Sequence, residues 1–171
     1  EVLANYARHL DSDEPLDSGV VERMDAAGTF NQGFATSEYL AASWLDQAWH
    51  VLSAADAAGI EDVAEFEKSA LAEIGLLDPV VPTRYSSTYF AHVFSGGYSA
   101  GYYSYIWSEV LDADTVAWFE ENGGLTRANG TRFRDRLLGV GGSMDPLEAY
   151  RNFRGRDAEI QPLLERRGLA G

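Results

Sequence analysis

Hydrophobic residues recur at three- and four-residue steps through the first half of the chain, which is the period of an amphipathic α-helix. The pattern predicts a long, largely buried helix that begins at Thr29 or Asn31, since either side chain could cap its N-terminus. It also predicts a shorter helix over 60–74, which stops at Gly75. The apolar positions of the long helix are Phe30, Phe34, Ala41, Trp44, Leu45, Ala48 and Leu52.

The second half shows the same period. Its strongest segment predicts a helix over 99–122, and two glycines that favour a helix terminus follow it. Asp145 and Pro146 are a capping residue and a proline suited to a first helical position. No alternating run of strand length stands out, so the predicted fold is all-α. Three shorter helices are predicted over 127–138, 146–153 and 159–166.

A proline-marked turn divides the chain into segments of unequal charge. Pro79 and Pro82 force extended backbone before them, so we expect one helix to end near Leu77 and another to begin after Thr83. Residues 1–82 carry 16 acidic and 3 basic side chains, whereas 83–171 carry 11 and 10. We therefore distinguish an acidic helical segment, 1–77, from a second segment, 83–171. The acidic segment is interpreted as an outer solvated face, with a functional acidic patch as the alternative.

Composition narrows the function classes. With 171 residues, 46% of them hydrophobic, the chain can bury a core. The absence of cysteine excludes disulfide scaffolds and thiolate metal sites. A net charge of −14 disfavours nucleic acid and anionic membranes as partners. No apolar run approaches a membrane span and no signal-peptide pattern is seen, so we expect a soluble, cytoplasmic protein.

Histidine spacing predicts no metal site in this chain. His9, His50 and His92 lie 41 and 42 residues apart, and none begins a His-Glu-x-x-His pair that would put two imidazoles on one helix face. His9 and His50 are interpreted as surface or helix-end residues.

The segment 85–107 concentrates six tyrosines, a histidine and two adjacent glycines. If the helix includes Tyr98, then Tyr98, Tyr102 and Tyr105 share one face, because four- and seven-residue steps return to within about 40° and 20° of the starting direction. Neutral phenols could stabilise negative charge developing on a carbonyl oxygen, with His92 on a loop bent towards them. The alternative is that these rings simply pack in the core.

These residues resemble the C-terminal end of the thimet-oligopeptidase family of zinc metallopeptidases, most closely its bacterial peptidyl-dipeptidase members. The resemblance covers essentially the whole chain and implies part of a mostly helical, two-lobed protein with a deep channel. It rests on 90–114, on Phe133-Arg134, on 141–146, on 153–156 and on the upstream stretch 30–43.

The resemblance implies roles for individual residues. Tyr105 and Tyr98 would donate hydrogen bonds to the substrate carbonyl or the oxyanion, and His92 would contact the substrate backbone. Tyr102 would be a weaker substrate contact, and Gly97 belongs to the same substrate-binding set.

The family's His-Glu-x-x-His helix and the glutamate that completes its zinc site would lie upstream of Glu1, where a translated start would have Met. We therefore expect a C-terminal part of a zinc-dependent enzyme that removes dipeptides from the C-terminus of short peptides. Its partners would be those peptides and the preceding part of the same polypeptide, which would hold Zn²⁺. This part alone is expected to be inactive. The alternatives are an endopeptidase of the oligopeptidase type and a non-catalytic helical peptide-binding domain.

Overall fold

The computed structural model describes residues 2–170, and its regular structure is helical. Between residues 2 and 170 there is no β-strand, only an isolated antiparallel bridge between Arg8 and Pro15, so the predicted all-α class is confirmed. No helix in this range is both long and apolar enough to cross a membrane. The α-helices are α1 Ser18–Ala27, α2 Gln32–His50, α3 Ala54–Ala58, α4 Val63–Glu73, α5 Ala91–Phe94, α6 Ser104–Glu121, α7 Arg127–Arg136, α8 Pro146–Arg154 and α9 Gln161–Arg166, with 3₁₀ turns at Leu3–Asn5 and Leu138–Ser143.

Several helix ends follow from local side-chain chemistry. The Asp62 carboxylate accepts two backbone N–H bonds at the start of α4, and Asp145 does the same at the start of α8. The Thr126 hydroxyl caps α7. Gly75 follows α4 with φ +72° and Gly155 ends α8 with φ +89°, a conformation in which glycine carries no steric cost. The four helices predicted beyond the two longest are therefore confirmed to within a few residues at most ends.

The long helix α2 buries only part of the stripe predicted for it. Asn31 precedes it in a left-handed conformation and its side chain makes no capping bond. Phe30 is 78% exposed and Trp44 is 52% exposed, so the prediction that these positions are buried is wrong. The buried residues include Ala41 and Leu45, as predicted, and pack against α4 and the segment that precedes α6. They are Ala41, Ala42, Ser43, Leu45 and Asp46.

The proline-marked segment contains no helix between Glu73 and Ala91, so the helix expected after Thr83 is not formed. Its polar groups are bonded to other helices instead. The Arg84 N–H donates to the Glu38 carbonyl of α2 at 3.1 Å, and the Ser87 N–H and hydroxyl donate to the Glu67 carboxylate of α4 at 2.7 and 2.8 Å. Long-range hydrogen bonds thus replace the i→i−4 bonds that a helix would supply.

Two clusters of buried side chains meet on α2. One face contributes Ala42 to a cluster with Phe90, Val93 and Tyr102. The adjacent face contributes Ala41 and Leu45, which pack with Leu71 of α4. Helix α2 therefore joins the first segment to the region that carries the candidate site.

A buried charge network holds the last helices to α6. Asp114 is fully buried and accepts hydrogen bonds from the Tyr150 hydroxyl at 2.6 Å and from the guanidinium groups of Arg154 and Arg156. Arg154 also pairs with Glu121 at 2.7 Å. Burial alone would raise the pKa of Asp114, but these hydrogen bonds hold it below its usual range. The network keeps its buried charges paired and ties α8 to α6.

Candidate functional site

Four predicted site residues come together with Tyr85 in an aromatic group that we call the His–Tyr cluster. The four are His92, Tyr98, Tyr102 and Tyr105. The His92 ring centroid lies 5.1 Å from Tyr85, 5.9 Å from Tyr98, 5.7 Å from Tyr102 and 6.4 Å from Tyr105. The rings of Tyr98 and Tyr105 stack at 5.4 Å with an interplanar angle of 16°. Tyr85 joins them although the sequence did not single it out as a site residue.

The sequence predicted that Tyr98, Tyr102 and Tyr105 share one helix face if the helix includes Tyr98. The structure does not meet that condition. Helix α6 begins only at Ser104, and Tyr98 and Tyr102 lie in successive turns before it. Within these turns Ala100 has φ +52°. The helix starts late because the backbone N–H groups of Ala100 and Tyr102 donate to the Asp46 carboxylate, each at 2.9 Å.

Asp46 is the main residue that sequence reasoning missed. Its side chain is fully buried, and His50 Nδ1 lies 2.8 Å from its Oδ1. Next to it on α2, the Gln47 side-chain amide donates to the Ala100 carbonyl at 2.9 Å. Asp46 falls on the same stripe as Ala42 and Leu45, so a carboxylate on an otherwise apolar face was the available signal.

Tyr39 is a second residue that the sequence did not single out. Its hydroxyl donates to the Tyr102 carbonyl at 2.6 Å and accepts from the Ile106 N–H at 3.2 Å. Ile106 lies in the first turn of α6, where backbone N–H groups have no partner within the helix. Tyr39 of α2 therefore caps α6 from a distant part of the chain.

The adjacent glycines return the chain to His92. Gly97 has φ +82°, and the Tyr98 N–H that follows donates to the His92 carbonyl at 3.1 Å. A Cβ on Gly96 would lie 2.8 Å from that same carbonyl oxygen, closer than side chains tolerate. Gly96 thus permits the close approach, while a substrate-binding role of Gly97 stays a prediction.

Exposure separates the tyrosines into two groups. Tyr98 and Tyr105 are 37% and 41% exposed, whereas Tyr102 is 3% exposed. Hydrogen bonding to Tyr98, followed by burial, raises the pKa of Tyr105 above its usual value, so its phenol keeps its proton at neutral pH. Burial chiefly raises the pKa of Tyr102 to about 12. The hydroxyl groups of Tyr98 and Tyr105 are accessible to a ligand, and contact between Tyr102 and substrate stays a prediction.

A cavity of about 350 Å³ lies beside the cluster. His92 and Tyr105 line it together with three charged residues, Arg84, Glu109 and Arg167. Arg167 is paired with Glu109 and donates to the Thr36 hydroxyl at 2.9 Å. The cavity therefore combines aromatic walls, phenol donors and charge of both signs.

The site does not contain metal ligands of its own. Across residues 2–170, no three side chains of His, Cys, Asp or Glu are grouped so that they could hold a metal ion. The side chains described do not fit a zinc site by themselves, and the phenols and imidazole of the His–Tyr cluster are groups that can form hydrogen bonds.

The amino-acid sequence of this chain is similar to those of known peptidases. The model of peptidase family M3 matches residues 1–169. The chain is 49% identical over 168 residues to the dipeptidyl carboxypeptidase of Salmonella typhimurium, covering 98% of this chain and 24% of that protein. It is 45% identical over 169 residues to the dipeptidyl carboxypeptidase of Escherichia coli, covering 99% and 24%.

A second kind of relative is more distant. Oligopeptidase A of Escherichia coli is 35% identical over 176 residues, covering all of this chain and 25% of that protein. The chain thus spans about a quarter of the length of the curated relatives it matches. Because the family model extends over nearly all of its residues, the chain belongs to peptidase family M3.

Proposed function

We propose that this chain forms part of the substrate-binding wall of a zinc-dependent peptidyl-dipeptidase, an enzyme that removes dipeptides from the C-terminus of short peptides. The observation that carries the proposal is the exposed Tyr105, which lines a cavity with His92 and stacks against the exposed Tyr98. The dipeptidyl carboxypeptidases, at 45% and 49% identity, support this specificity over that of oligopeptidase A at 35%.

The chemistry assigned to the cluster is stabilisation of an oxyanion. Attack on a peptide carbonyl moves negative charge onto its oxygen, and a neutral donor already aimed at that oxygen lowers the barrier. Tyr105 donates to this oxygen, while Tyr98, stacked against it, donates to the oxygen or to a neighbouring substrate carbonyl. His92 contacts the substrate backbone. The turns before α6, which are bonded to Asp46, position Tyr98 beside Tyr105 of α6, so little reorganisation accompanies the reaction.

We assign the zinc ion to the rest of the same polypeptide, because the described residues offer no ligand set for it. Zinc in such enzymes activates the attacking water. The chain described here is then expected to be inactive by itself, and the preceding part of the polypeptide is its obligatory partner.

The test is a Tyr105→Phe substitution in the complete, zinc-loaded enzyme. Loss of one oxyanion donor is expected to lower kcat by roughly 10²–10³ while the zinc content stays unchanged. Tyr103→Phe is the matched control, since Tyr103 lies just before α6, is 50% exposed and does not belong to the His–Tyr cluster. Near wild-type turnover in Tyr105→Phe would mean that Tyr105 only packs against its neighbours and does not stabilise the oxyanion.

Two peptides distinguish the alternatives. A peptidyl-dipeptidase cleaves a peptide with a free C-terminus and releases its last two residues, but cleaves the C-terminally blocked peptide poorly. Equal cleavage of both would favour the endopeptidase. Absence of a His-Glu-x-x-His motif from the complete polypeptide would favour the non-catalytic peptide-binding domain.

A further inference from the structure

Arg84 brings an incompletely paired positive charge to the cavity beside the His–Tyr cluster. Its side chain is half exposed and lines the cavity. Its one charged partner within residues 2–170 is Glu38, at a single N···O distance of 3.5 Å. Charge-assisted hydrogen bonds are usually about 2.7–2.9 Å long, and a guanidinium has five N–H donors. Most of the donors of Arg84 are therefore available to a ligand.

The other arginine at this cavity is already occupied. The side chain of Arg167 is only 16% exposed, and it is held by Glu109 and by the Thr36 hydroxyl. Its charge is balanced by a carboxylate in contact with it. An anionic group that enters the cavity thus meets Arg84 as the accessible positive charge.

The backbone around Arg84 is fixed relative to the cluster. The Arg84 N–H is bonded to α2, and Ser87, three residues later, is bonded to Glu67 of α4. Tyr85, the next residue, belongs to the His–Tyr cluster. The charge of Arg84 also acts on a tyrosine of this cluster. Burial and the neighbouring Tyr85 raise the pKa of Tyr102, whereas the positive charge of Arg84 lowers it. The backbone of Arg84 is therefore anchored beside the cavity that Tyr105 also lines.

We propose that Arg84 binds the C-terminal carboxylate of the peptide substrate, and so helps to set cleavage at two residues from the chain end. This inference rests on the proposed function. An enzyme that removes dipeptides must recognise a carboxylate at a fixed distance from the scissile carbonyl, roughly 7 Å for two extended residues. A guanidinium matches the two oxygens of a carboxylate. The cavity, at about 350 Å³, is within the usual range of small-ligand sites.

The experiment compares Arg84→Ala, Arg84→Lys and wild type, each as the complete zinc-loaded enzyme, on one peptide with a free C-terminal carboxylate and on its C-terminal amide. Arg84→Ala is expected to raise KM for the free acid about 10–100-fold and to change cleavage of the amide less than about 2-fold. Arg84→Lys should fall between, because lysine keeps the charge without the fork. Arg134→Ala is the matched control, since Arg134 is also an exposed arginine with one carboxylate partner but lies outside the cavity.

The outcomes separate the inference from the proposed function. If wild type prefers the free acid and Arg84→Ala keeps that preference, the Arg84 assignment is wrong and the proposed function stands. If wild type cleaves both peptides equally, the dipeptidase assignment itself fails. An equal loss on both peptides in Arg84→Ala would assign Arg84 a structural role and overturn the inference. Calorimetric binding of a free dipeptide and its amide gives a second readout, in which Arg84→Ala should abolish the difference between them.

Discussion

Replacing Asp46 by asparagine should loosen the turns that carry Tyr98 without changing the size of the side chain. Asp46 accepts the N–H groups of Ala100 and Tyr102, both at 2.9 Å, from a fully buried position. Asparagine retains one acceptor oxygen and places an amide NH₂ group where the other oxygen stood. One hydrogen bond is then lost and one buried backbone donor is left without a partner.

The magnitude follows from that loss. A hydrogen bond to a charged group contributes about 1.5–3 kcal/mol, and an unsatisfied buried donor costs about 1–3 kcal/mol. The two energies are not added, because they describe the same broken contact. We therefore expect the free energy of local opening to fall by about 2–3 kcal/mol. Amide exchange limited by this opening would become about 30–150-fold faster.

Hydrogen–deuterium exchange with mass spectrometry on the complete polypeptide measures this directly. The peptide that spans 97–103 should exchange faster in Asp46→Asn, and turnover should fall because Tyr98 lies on these turns. Asp112→Asn is the control, since Asp112 is 62% exposed and its ion pair with Arg166 is expected to contribute less than about 1 kcal/mol. Unchanged exchange over 97–103 in Asp46→Asn would refute the assigned role of Asp46.

Three further predictions test the surroundings of the site. Gly96→Ala should lower kcat/KM about 10–100-fold by displacing His92, whereas Gly33→Ala should leave steady-state kinetics unchanged because the space around its Cβ is open. Equal kinetics in the two variants would contradict this prediction. Asp114→Asn should lower the free energy of unfolding by about 3–5 kcal/mol in urea denaturation, because it removes the buried negative charge that pairs with Arg154 and Arg156. A loss below about 1 kcal/mol would count against the network. The pKa of the Tyr102 phenol rises from 10.0 to about 12 on folding, so this group should contribute stability that is complete below pH 10 and lost between pH 10 and 12. Unfolding measured over about pH 8–12 should show this loss relative to Tyr102→Phe, and parallel curves for the two proteins would exclude it.

Helices with local end signals were predictable from the sequence. Asp145, Pro146 and Gly155 delimit α8 almost to the residue, because capping and the left-handed glycine are properties of a few adjacent positions. The burial of α2 was not predictable in the same way. Trp44 satisfies the helical period, yet the side of α2 that is covered depends on where α4 and Tyr102 pack.

The candidate site shows the same division. Sequence pattern selected His92, Tyr98 and Tyr105, and the structure brings their rings together. The sequence pattern could not predict the turns that replace the first part of the expected helix, because their hydrogen-bond partner Asp46 lies more than fifty residues earlier. A local pattern records which side chains are present, whereas a long-range acceptor decides how the backbone between them runs.

The bonds from α2 to the start of α6 also constrain the order in which the protein folds. Tyr39 meets Tyr102 and Ile106 across separations of 63 and 67 residues, and Asp46 meets Ala100 across 54. Closing such long loops costs chain entropy before any contact compensates for it, so these contacts form late. As the chain leaves the ribosome, α2 is complete long before the residues that it must organise. The aromatic cluster is therefore expected to acquire its geometry only after synthesis has passed the first turn of α6.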